Sequence, residues 1–246
     1  MTRGRDGSIT LDAGRGDDAI NVSKGRDGMY DVNVNGVSHR FTEDEMNRLT
    51  IKGGKGNDRI NIDSSVTASG LKIDGGKGND TISNAADGVS IQGGKGHDTI
   101  RNLGDNVNID GGKGNDRITN WGDGARINGG KGNDFINSFG DDNFIHGGKG
   151  ADTINAYGDG NAIHGGKGWD NIFVNGNRNS VDGGKGWDNI GVCGHFNNIQ
   201  GGAGFDNLTA RGFFNSMDAG NCFGRQLDLG NMAWHALANV LARLPL

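Results

Sequence analysis

The segment Gly53-Gly54-Lys55-Gly56-Asn57-Asp58-Arg59-Ile60 sets the architecture of this chain, because the same eight-residue word returns along most of its length. The word is Gly-Gly-x-Gly-x-Asp-x-Ile; its third residue is Lys in every copy but the last, where Leu208 also replaces the final Ile. From the third copy onward, each copy begins 18 residues after the one before it. A fixed period of this kind is typical of a solenoid in which one repeat forms one coil. The later copies begin at Gly75, Gly93, Gly111, Gly129, Gly147, Gly165, Gly183 and Gly201.

The residue types in the word favour a bound metal ion. Three glycines in four residues allow a sharp turn with positive φ angles, and such a turn directs its carbonyl oxygens inward. The aspartate two residues later brings a carboxylate to the same place. Carbonyl and carboxylate oxygens together suit Ca²⁺ better than Zn²⁺ or copper. Because neighbouring coils of a parallel stack lie about 4.8 Å apart, one ion can be shared by two coils, and the array offers about eight sites along one edge.

The predicted calcium ligands are of two kinds. The first kind is the carboxylate of the aspartate in each copy, and the second is the backbone carbonyl of the third and fourth residues. The carboxylates are those of Asp58, Asp80, Asp98, Asp116, Asp134, Asp152, Asp170, Asp188 and Asp206. The carbonyls are those of Lys55, Gly56, Lys77, Gly78, Lys95, Gly96, Lys113, Gly114, Lys131, Gly132, Lys149, Gly150, Lys167, Gly168, Lys185 and Gly186.

Taken with its following residue, the word resembles the RTX (repeats-in-toxin, haemolysin-type) calcium-binding nonapeptide over residues 53–208. This resemblance implies a parallel β-roll, calcium bound in the turns, and secretion from a bacterium. The chain departs from the simplest pattern, because every second nonapeptide is degenerate, as in residues 120–128. Two nonapeptides make one coil, so all intact turns are expected on the same edge of the roll. We therefore expect a calcium ladder on one side only.

Composition limits the class of protein. The chain has 246 residues with 49 Gly and one Pro, and 25 basic against 30 acidic residues give a net charge of −5. No apolar run is long enough to cross a membrane. Residues 1–6 lack the apolar region of a classical signal peptide, and two cysteines are too few for a disulfide framework. We expect a secreted, extracellular protein that is exported without a classical signal peptide.

The fold class that we expect is all-β, a parallel β-roll of 18-residue coils with a cap at each end. Residues 1–50 form the predicted β-rich N-terminal cap, which holds a degenerate repeat, a hairpin turning at Asn35-Gly36, and a short helix from the capping box of Thr42 and Glu45 through Leu49. Residues 51–224 form the predicted β-roll. Residues 225–246 form a predicted C-terminal capping helix, for which a role at a membrane surface or as a secretion signal stays open.

Aligned coils predict which side chains face inward. The isoleucine after each repeat aspartate forms one wall of a thin core, and a second column that includes Ile91 and Ile127 forms the opposite wall. In two further columns, asparagine and an apolar residue change places partway along the chain. One column has Asn102 in an early coil and Ala156 in a later one, and the other has Val107 and then Asn161. This exchange predicts an internal asparagine ladder whose amides bond turn carbonyls on the degenerate edge, rather than asparagines that face solvent.

Several other columns of stacked side chains have both a functional and a purely structural interpretation. The third-place lysines are either a stripe for an anionic polymer or, as we favour, solvated turn residues. Outward aromatics could dock a polysaccharide or a protein, or could stack to protect the coils. Stacked His146 and His164 give little support to a transition-metal site, and a second ion row is less favoured than turn-stabilising aspartates. The aromatics are Trp169, Trp187 and Phe205 on one edge and Trp121, Phe139 and Tyr157 on the other; the aspartates are Asp105, Asp123, Asp141 and Asp159.

The sequence predicts no enzyme, because it holds no nucleophile elbow, zinc-binding histidine cluster or phosphate-binding loop. We expect a calcium-binding secreted β-roll that folds on binding Ca²⁺, serves secretion-coupled folding and extracellular interaction, and has no nucleic-acid partner. Two alternatives stay open. One is a metal-independent structural or interaction solenoid, and the other is the carrier module of a secreted enzyme whose catalytic domain lies outside these residues.

Overall fold

The computed structural model describes residues 1–220 and the backbone of residues 225–228. It contains one short helix, α1 (Glu43–Met46), and 25 strands. The strands are β1 (Thr2–Arg3), β2 (Ile9–Arg15), β3 (Ala19–Lys24), β4 (Tyr30–Val34), β5 (Val37–Phe41), β6 (Leu49–Lys55), β7 (Arg59–Ile62), β8 (Lys72–Lys77), β9 (Thr81–Asn84), β10 (Ser90–Lys95), β11 (Thr99–Asn102), β12 (Asn108–Lys113), β13 (Arg117–Asn120), β14 (Arg126–Lys131), β15 (Phe135–Ser138), β16 (Phe144–Lys149), β17 (Thr153–Tyr157), β18 (Ala162–Lys167), β19 (Asn171–Asn175), β20 (Ser180–Lys185), β21 (Asn189–Cys193), β22 (Asn198–Ala203), β23 (Asn207–Arg211), β24 (Ser216–Asp218) and β25 (Arg225–Asp228).

Each coil of the solenoid gives one strand to each of two sheets. The first sheet has the order β1-β2-β6-β8-β10-β12-β14-β16-β18-β20-β22-β24, and the second has the order β25-β23-β21-β19-β17-β15-β13-β11-β9-β7-β3-β4-β5. Apart from the N-terminal strands, all pairings are parallel and join equivalent positions of successive coils, as in Ile91 with Ile109. The predicted β-solenoid with 18-residue coils is therefore confirmed.

The core is a thin layer between the two sheets. Ile82, Ile100 and Ile118 of the second sheet are fully buried, and so are Ile91 and Ile109 of the first. The two isoleucine columns predicted from the sequence are therefore the two walls of the core. Because the parallel register stacks each isoleucine on its equivalent, every coil buries apolar surface against its neighbours, which is the main favourable term for a solenoid.

The N-terminal end carries the antiparallel hairpin that the sequence predicts. Strands β4 and β5 turn at Asn35 and Gly36, whose φ angles of 51° and 87° suit a tight hairpin turn. The capping box is present, with the Thr42 side chain accepting from the Glu45 amide. The helix is shorter than predicted, however: it ends at Met46 instead of Leu49, because Leu49 begins β6 and pairs with Ile9.

The C-terminal end also differs from the predicted boundary. Residues 225–228 form strand β25, which pairs with β23 in the second sheet, so this sheet continues into the range assigned to a helix. The rest of the predicted helix, residues 229–246, lies outside the described residues, as does Cys222. In the part of the chain that is described, no helix has the length and apolar character needed to span a membrane.

Candidate metal centre

The nine predicted aspartates form a single buried column along one edge of the roll. Each is 1–2 % exposed, and each stacks on its equivalent in the next coil. One carboxylate oxygen is used within the column: Asp80 Oδ1 accepts the Asp58 amide N–H at 2.8 Å, and Asp98 Oδ1 accepts the Asp80 amide in the same way. These bonds continue as far as Asp206, whose Oδ1 accepts the Asp188 amide at 2.9 Å. The column is therefore oriented by backbone hydrogen bonds.

The second carboxylate oxygen of each aspartate, Oδ2, is buried and has no hydrogen-bond partner. Burying a carboxylate oxygen without a partner is costly, and folded proteins leave few such groups. Here the same arrangement recurs in every intact copy of the repeat. A repeated row of buried acceptors without donors is the arrangement that a cation would complete.

The first glycine of each copy leaves the space into which Oδ2 points. A Cβ added to Gly75 would lie 2.5 Å from Asp80 Oδ2 and 2.5 Å from the carbonyl oxygen of Gly93 in the next coil. At Gly129 the same two distances, to Asp134 Oδ2 and the Gly147 carbonyl, are 2.6 and 2.5 Å. We call this space the first-glycine cradle. It is bounded by a carboxylate and a carbonyl, so the donor set is made of oxygen, as Ca²⁺ prefers.

Burial also shifts the proton equilibrium of the column. Desolvation raises the pKa of Asp80, Asp152 and Asp188 to about 7. The hydrogen bond from the neighbouring backbone amide lowers these pKa values by less, and adjacent carboxylates raise them further. The pKa values of Asp98 and Asp116 rise to about 6 for the same reasons. The pKa is also raised by burial at Asp58, Asp134, Asp170 and Asp206. A stacked row of anions is thus unfavourable in the metal-free roll near neutral pH.

The third-place lysines do not neutralise this column. Within residues 1–220, no ion pair joins a third-place lysine to a repeat aspartate. The third-place carbonyls have a different contact: the Lys77 carbonyl accepts the Gly56 amide at 2.9 Å, and the Lys95 carbonyl accepts the Gly78 amide at 2.9 Å. The predicted lysine carbonyls therefore already hold one hydrogen bond each. Carbonyl oxygens have two lone pairs, so this bond does not prevent them from contacting an ion.

The opposite edge shows how the same geometry is satisfied without a cation. Asn179 occupies the place of the repeat aspartate there, and its amide N–H donates to Asn197 Oδ1 at 2.8 Å. Its Nδ2 takes the place of the unpartnered Oδ2 and donates to the Gly158 carbonyl at 3.1 Å. Asn197 Nδ2 donates to Gly176 in the same way, at 3.0 Å. The internal asparagine ladder is thus confirmed in these coils, where an amide donor meets the turn carbonyl.

The ladder changes column in the middle of the roll, as the sequence pattern predicts. In the earlier coils Asn102 Nδ2 donates to the Gly104 carbonyl at 2.7 Å. The exchange takes place at Ser138, whose hydroxyl accepts from Asn120 Nδ2 at 3.1 Å and from Asn143 Nδ2 at 3.2 Å. Ser138 therefore joins the two asparagine ladders. The amide of Asn161 is the exception, since its Nδ2 is buried without a partner.

Two groups that the structure places beside the unpartnered oxygens of the aspartate edge were not among the residues chosen from the sequence. The first-glycine carbonyl was missed because the prediction chose the third and fourth residues of the turn. The second is Asp18 of the degenerate first repeat, which extends the aspartate column by one coil: its amide donates to Asp58 Oδ1 at 2.9 Å, and its own Oδ2 is buried without a partner. The matching phase of residues 13–20 was the signal that could have identified it.

The first coil closes the column at its N-terminal end. Ala13 stands where every intact copy has its first glycine, and the register pairs its neighbour Gly14 with Gly54. The alanine Cβ therefore occupies the position that is empty in the other coils. Asn35 replaces the missing preceding coil, because its Nδ2 donates to Asp18 Oδ1 and its Oδ1 accepts the Ala19 amide at 2.9 Å.

The remaining candidate sites have simpler roles. Asp105 Oδ1 accepts the Asp123 amide at 2.9 Å, so the exposed aspartates of the degenerate edge stabilise turns. His146 and His164 stack with centroids 5.1 Å apart, and His164 Nδ1 lies 3.0 Å from Asp182. Among the described residues, no group of three or more His, Cys, Asp or Glu side chains could hold a metal. The outward aromatics stack on one another along both edges.

A model of the RTX calcium-binding nonapeptide repeat matches this chain in four copies, over residues 50–61, 72–87, 92–123 and 122–154. These four matches lie within residues 50–154. The resemblance predicted from the glycine–aspartate word is confirmed for this region, and the repeat family supports calcium as the ion of the aspartate edge. Comparisons with curated proteins and with solved structures gave no match.

The raised pKa values predict an unusual pH dependence for the metal-free roll. Because the folded-state pKa lies above the unfolded value near 3.8, the protonated column contributes stability that is complete below about pH 4 and is lost as the pH rises through about 6–7. The β-sheet signal of the chain in EDTA, followed by circular dichroism, should therefore fall as the pH rises from about 4 to about 8. A signal that is constant or rises over this range would contradict the assignment.

The asparagine edge gives a second prediction. Replacing Asn179 by Asp puts an acceptor beside the Gly158 carbonyl in place of a donor, and the loss of this partly buried hydrogen bond costs about 1–3 kcal/mol. We expect Asn179→Asp to lower the free energy of unfolding in saturating calcium by this amount. The exposed substitution Asn57→Asp is the control and should have little effect, because the Asn57 Oδ1 acceptor is retained. Equal stability of Asn179→Asp and the parent would show that the ladder is not structural.

Proposed function

We propose that this protein is a calcium-folded β-roll, in which ions held between coils supply the free energy that orders the chain. The observation that carries the proposal is the row of first-glycine cradles, each bounded by a buried, unpartnered aspartate oxygen and by a carbonyl of the next coil. The repeat family supports calcium binding for residues 50–154. The same arrangement continues beyond these residues as far as Asp206.

The proposed ligands follow from this arrangement. Each ion would contact the aspartate Oδ2 of one coil and the first-glycine carbonyl of the next, and the third- and fourth-residue carbonyls of the turns complete the oxygen set. Nine first glycines, from Gly53 to Gly201, have this environment, and in the last of them the neighbouring carbonyl belongs to Ala219 instead of a glycine. Eight cradles thus lie between two intact copies, and we propose about eight ions along this edge.

Calcium would act here by removing an electrostatic penalty. A divalent cation neutralises the stacked carboxylates and gives each Oδ2 a partner, so the free energy of binding becomes free energy of folding. The aliphatic core is thin, and the glycine-rich backbone loses much entropy when it is ordered. The ions would supply the additional stabilisation.

The proposed setting is outside the producing cell. Extracellular calcium modules function with affinities of about 10⁻⁴–10⁻³ M, which a site of shared carboxylates and carbonyls can provide. A chain that orders only at such concentrations stays loose where free calcium is scarce and folds after export. Secretion-coupled folding, followed by interaction through the exposed surface of the roll, is thus the function that we propose.

The asparagine edge supports one alternative, a solenoid that folds without metal. Its ladder pairs donors with carbonyls through Asn179, Asn197 and Asn215, and so that edge requires no cation. In that case the aspartate edge would have to hold its protons at neutral pH, and chelation would leave the roll intact. A single substitution can distinguish the calcium-folded roll from the metal-independent solenoid.

The decisive substitution is Asp170→Asn, which places a donor in the Gly165 cradle, where the unpartnered Oδ2 lies. We expect it to reduce bound calcium by about one ion without loss of the fold in saturating calcium, because the new amide donor can meet the Gly183 carbonyl. Equilibrium dialysis measures the ion count, and circular dichroism verifies the fold. Asp105→Asn on the degenerate edge is the matched control and should keep the ion count. An unchanged ion count in Asp170→Asn would refute the proposed ligand.

The closed first coil allows a converse test. Ala13→Gly removes the methyl group that stands at the first-glycine position and should open a cradle at Asp18, which adds about one ion. The double variant Ala13→Gly, Asp18→Asn should return the count to that of the parent. If Ala13→Gly leaves the stoichiometry unchanged, the first glycine is not what admits the ion.

A further inference from the structure

A groove of about 1140 Å³ runs along the outside of the first sheet, from Lys52 to Ala203. Its floor is the backbone of the second glycine of each copy, as at Gly94, and one wall is made by the third-place lysines. The opposite wall, which we call the facing column, consists of Lys52, Asp74, Gln92, Asp110, Asn128, His146, His164, Asp182 and Gln200.

The glycine floor is a requirement of the coil stacking. A Cβ on Gly94 would overlap the carbonyl oxygen of Gly76 in the preceding coil, and the φ angle of Gly94 is 115°. Side chains are therefore excluded from the floor in each intact copy. The groove is consequently continuous along the roll, and it is long and shallow, as suits a linear ligand.

The groove is basic although the protein is acidic. Eight lysines line it against three aspartates, whereas the whole chain has a net charge of −5. Within residues 1–220, no ion pair involves any of the third-place lysines, and the lysine of the facing column, Lys52, is 3.9 Å from Asp74. The parallel register places successive lysines one coil apart, about 4.8 Å along the axis. A regular row of unpaired cations matches a polymer that carries regularly spaced anions.

The facing column indicates which polymer. Gln92, Asn128 and Gln200 can donate to and accept from hydroxyl groups, and the carboxylates of Asp74 and Asp110 can accept from hydroxyl groups. No Phe, Tyr or Trp side chain is among the described residues that line the groove, and the imidazole rings of His146 and His164 stack on each other, so the groove offers little surface for stacking bases. A hydroxyl-rich polyanion fits these groups better than a nucleic acid does.

The aromatic columns do not alter this choice. Trp169 and Trp187 stack face to face, with centroids 5.2 Å apart and planes 4° from parallel. One face of each ring is therefore covered by the other ring. They do not form the open aromatic platform on which successive bases stack.

We propose that this groove binds an extended acidic polysaccharide, with its carboxylate or sulfate groups on the third-place lysines and its hydroxyls on the facing column. The sequence alone favoured solvated turn lysines. The glycine floor and the facing column change this interpretation, because they place the lysines on the wall of a continuous groove. The proposal depends on the lysine side chains and not on the aspartate carboxylates proposed to bind calcium.

The test is binding of the full chain to chondroitin sulfate in a calcium-containing buffer, with the fold verified by circular dichroism. Dextran is the neutral comparison, and a thymidine oligonucleotide is the phosphate comparison. The groove variant combines Lys113→Gln, Lys131→Gln and Lys149→Gln. The matched variant removes the same charge from the second sheet through Arg59→Gln, Arg101→Gln and Arg117→Gln, all exposed residues.

We expect the parent to bind chondroitin sulfate with an affinity that falls as salt rises, and the groove variant to lose on the order of tenfold. The arginine variant should keep most of the affinity. Equal losses in both variants would overturn the proposal, as would absence of binding, equal binding of dextran, or tighter binding of the oligonucleotide. Loss of calcium binding in the separate aspartate variants would leave this test unaffected as long as the roll is folded.

Discussion

The structure depends on one electrostatic constraint: at the aspartate edge, every coil directs a carboxylate oxygen and a backbone carbonyl into the same space. Both groups are acceptors, so neither can satisfy the other. The backbone amide of the preceding coil binds only Oδ1, and burial leaves Oδ2 without water. Stacking repeats this conflict at each step along the axis, and a divalent cation between coils is the simplest group that resolves it.

Comparison with the opposite edge shows that one side-chain atom causes the lack of a hydrogen-bond donor: Oδ2 of aspartate, in place of Nδ2 of asparagine. Asn179 has the backbone contacts of a repeat aspartate, but its Nδ2 donates to a turn carbonyl. The roll thus has an amide ladder on one edge, where donors meet the turn carbonyls, and on the other edge a carboxylate row that lacks such donors. The repeat glycines serve both the aspartate edge and the outer groove. They allow the tight turns, leave the cradles open, and keep the groove free of side chains.

Much of this arrangement could be predicted from the sequence, because a strict period fixes register. The phase of the isoleucines gave both walls of the core, and the exchange between Asn102 and Asn161 gave the asparagine ladder. Details that depend on three-dimensional contact could not be predicted. The helix ends at Met46 because Leu49 pairs with Ile9 in a strand. The role of Asp18 depends on its hydrogen bond with Asp58, 40 residues away in the sequence. The first-glycine cradle exists because glycine has no Cβ atom to fill it.

The most direct test of the central claim is a calcium titration of the metal-free chain followed by far-ultraviolet circular dichroism, with reversal by EDTA and magnesium as the control ion. The account predicts a cooperative gain of β-sheet signal with calcium, saturating near about eight ions, and little change with magnesium, which accepts irregular oxygen sites poorly. A chain that shows its full β-sheet signal in EDTA at neutral pH would contradict it, and would mean that the apolar core and the asparagine ladder suffice to hold the roll.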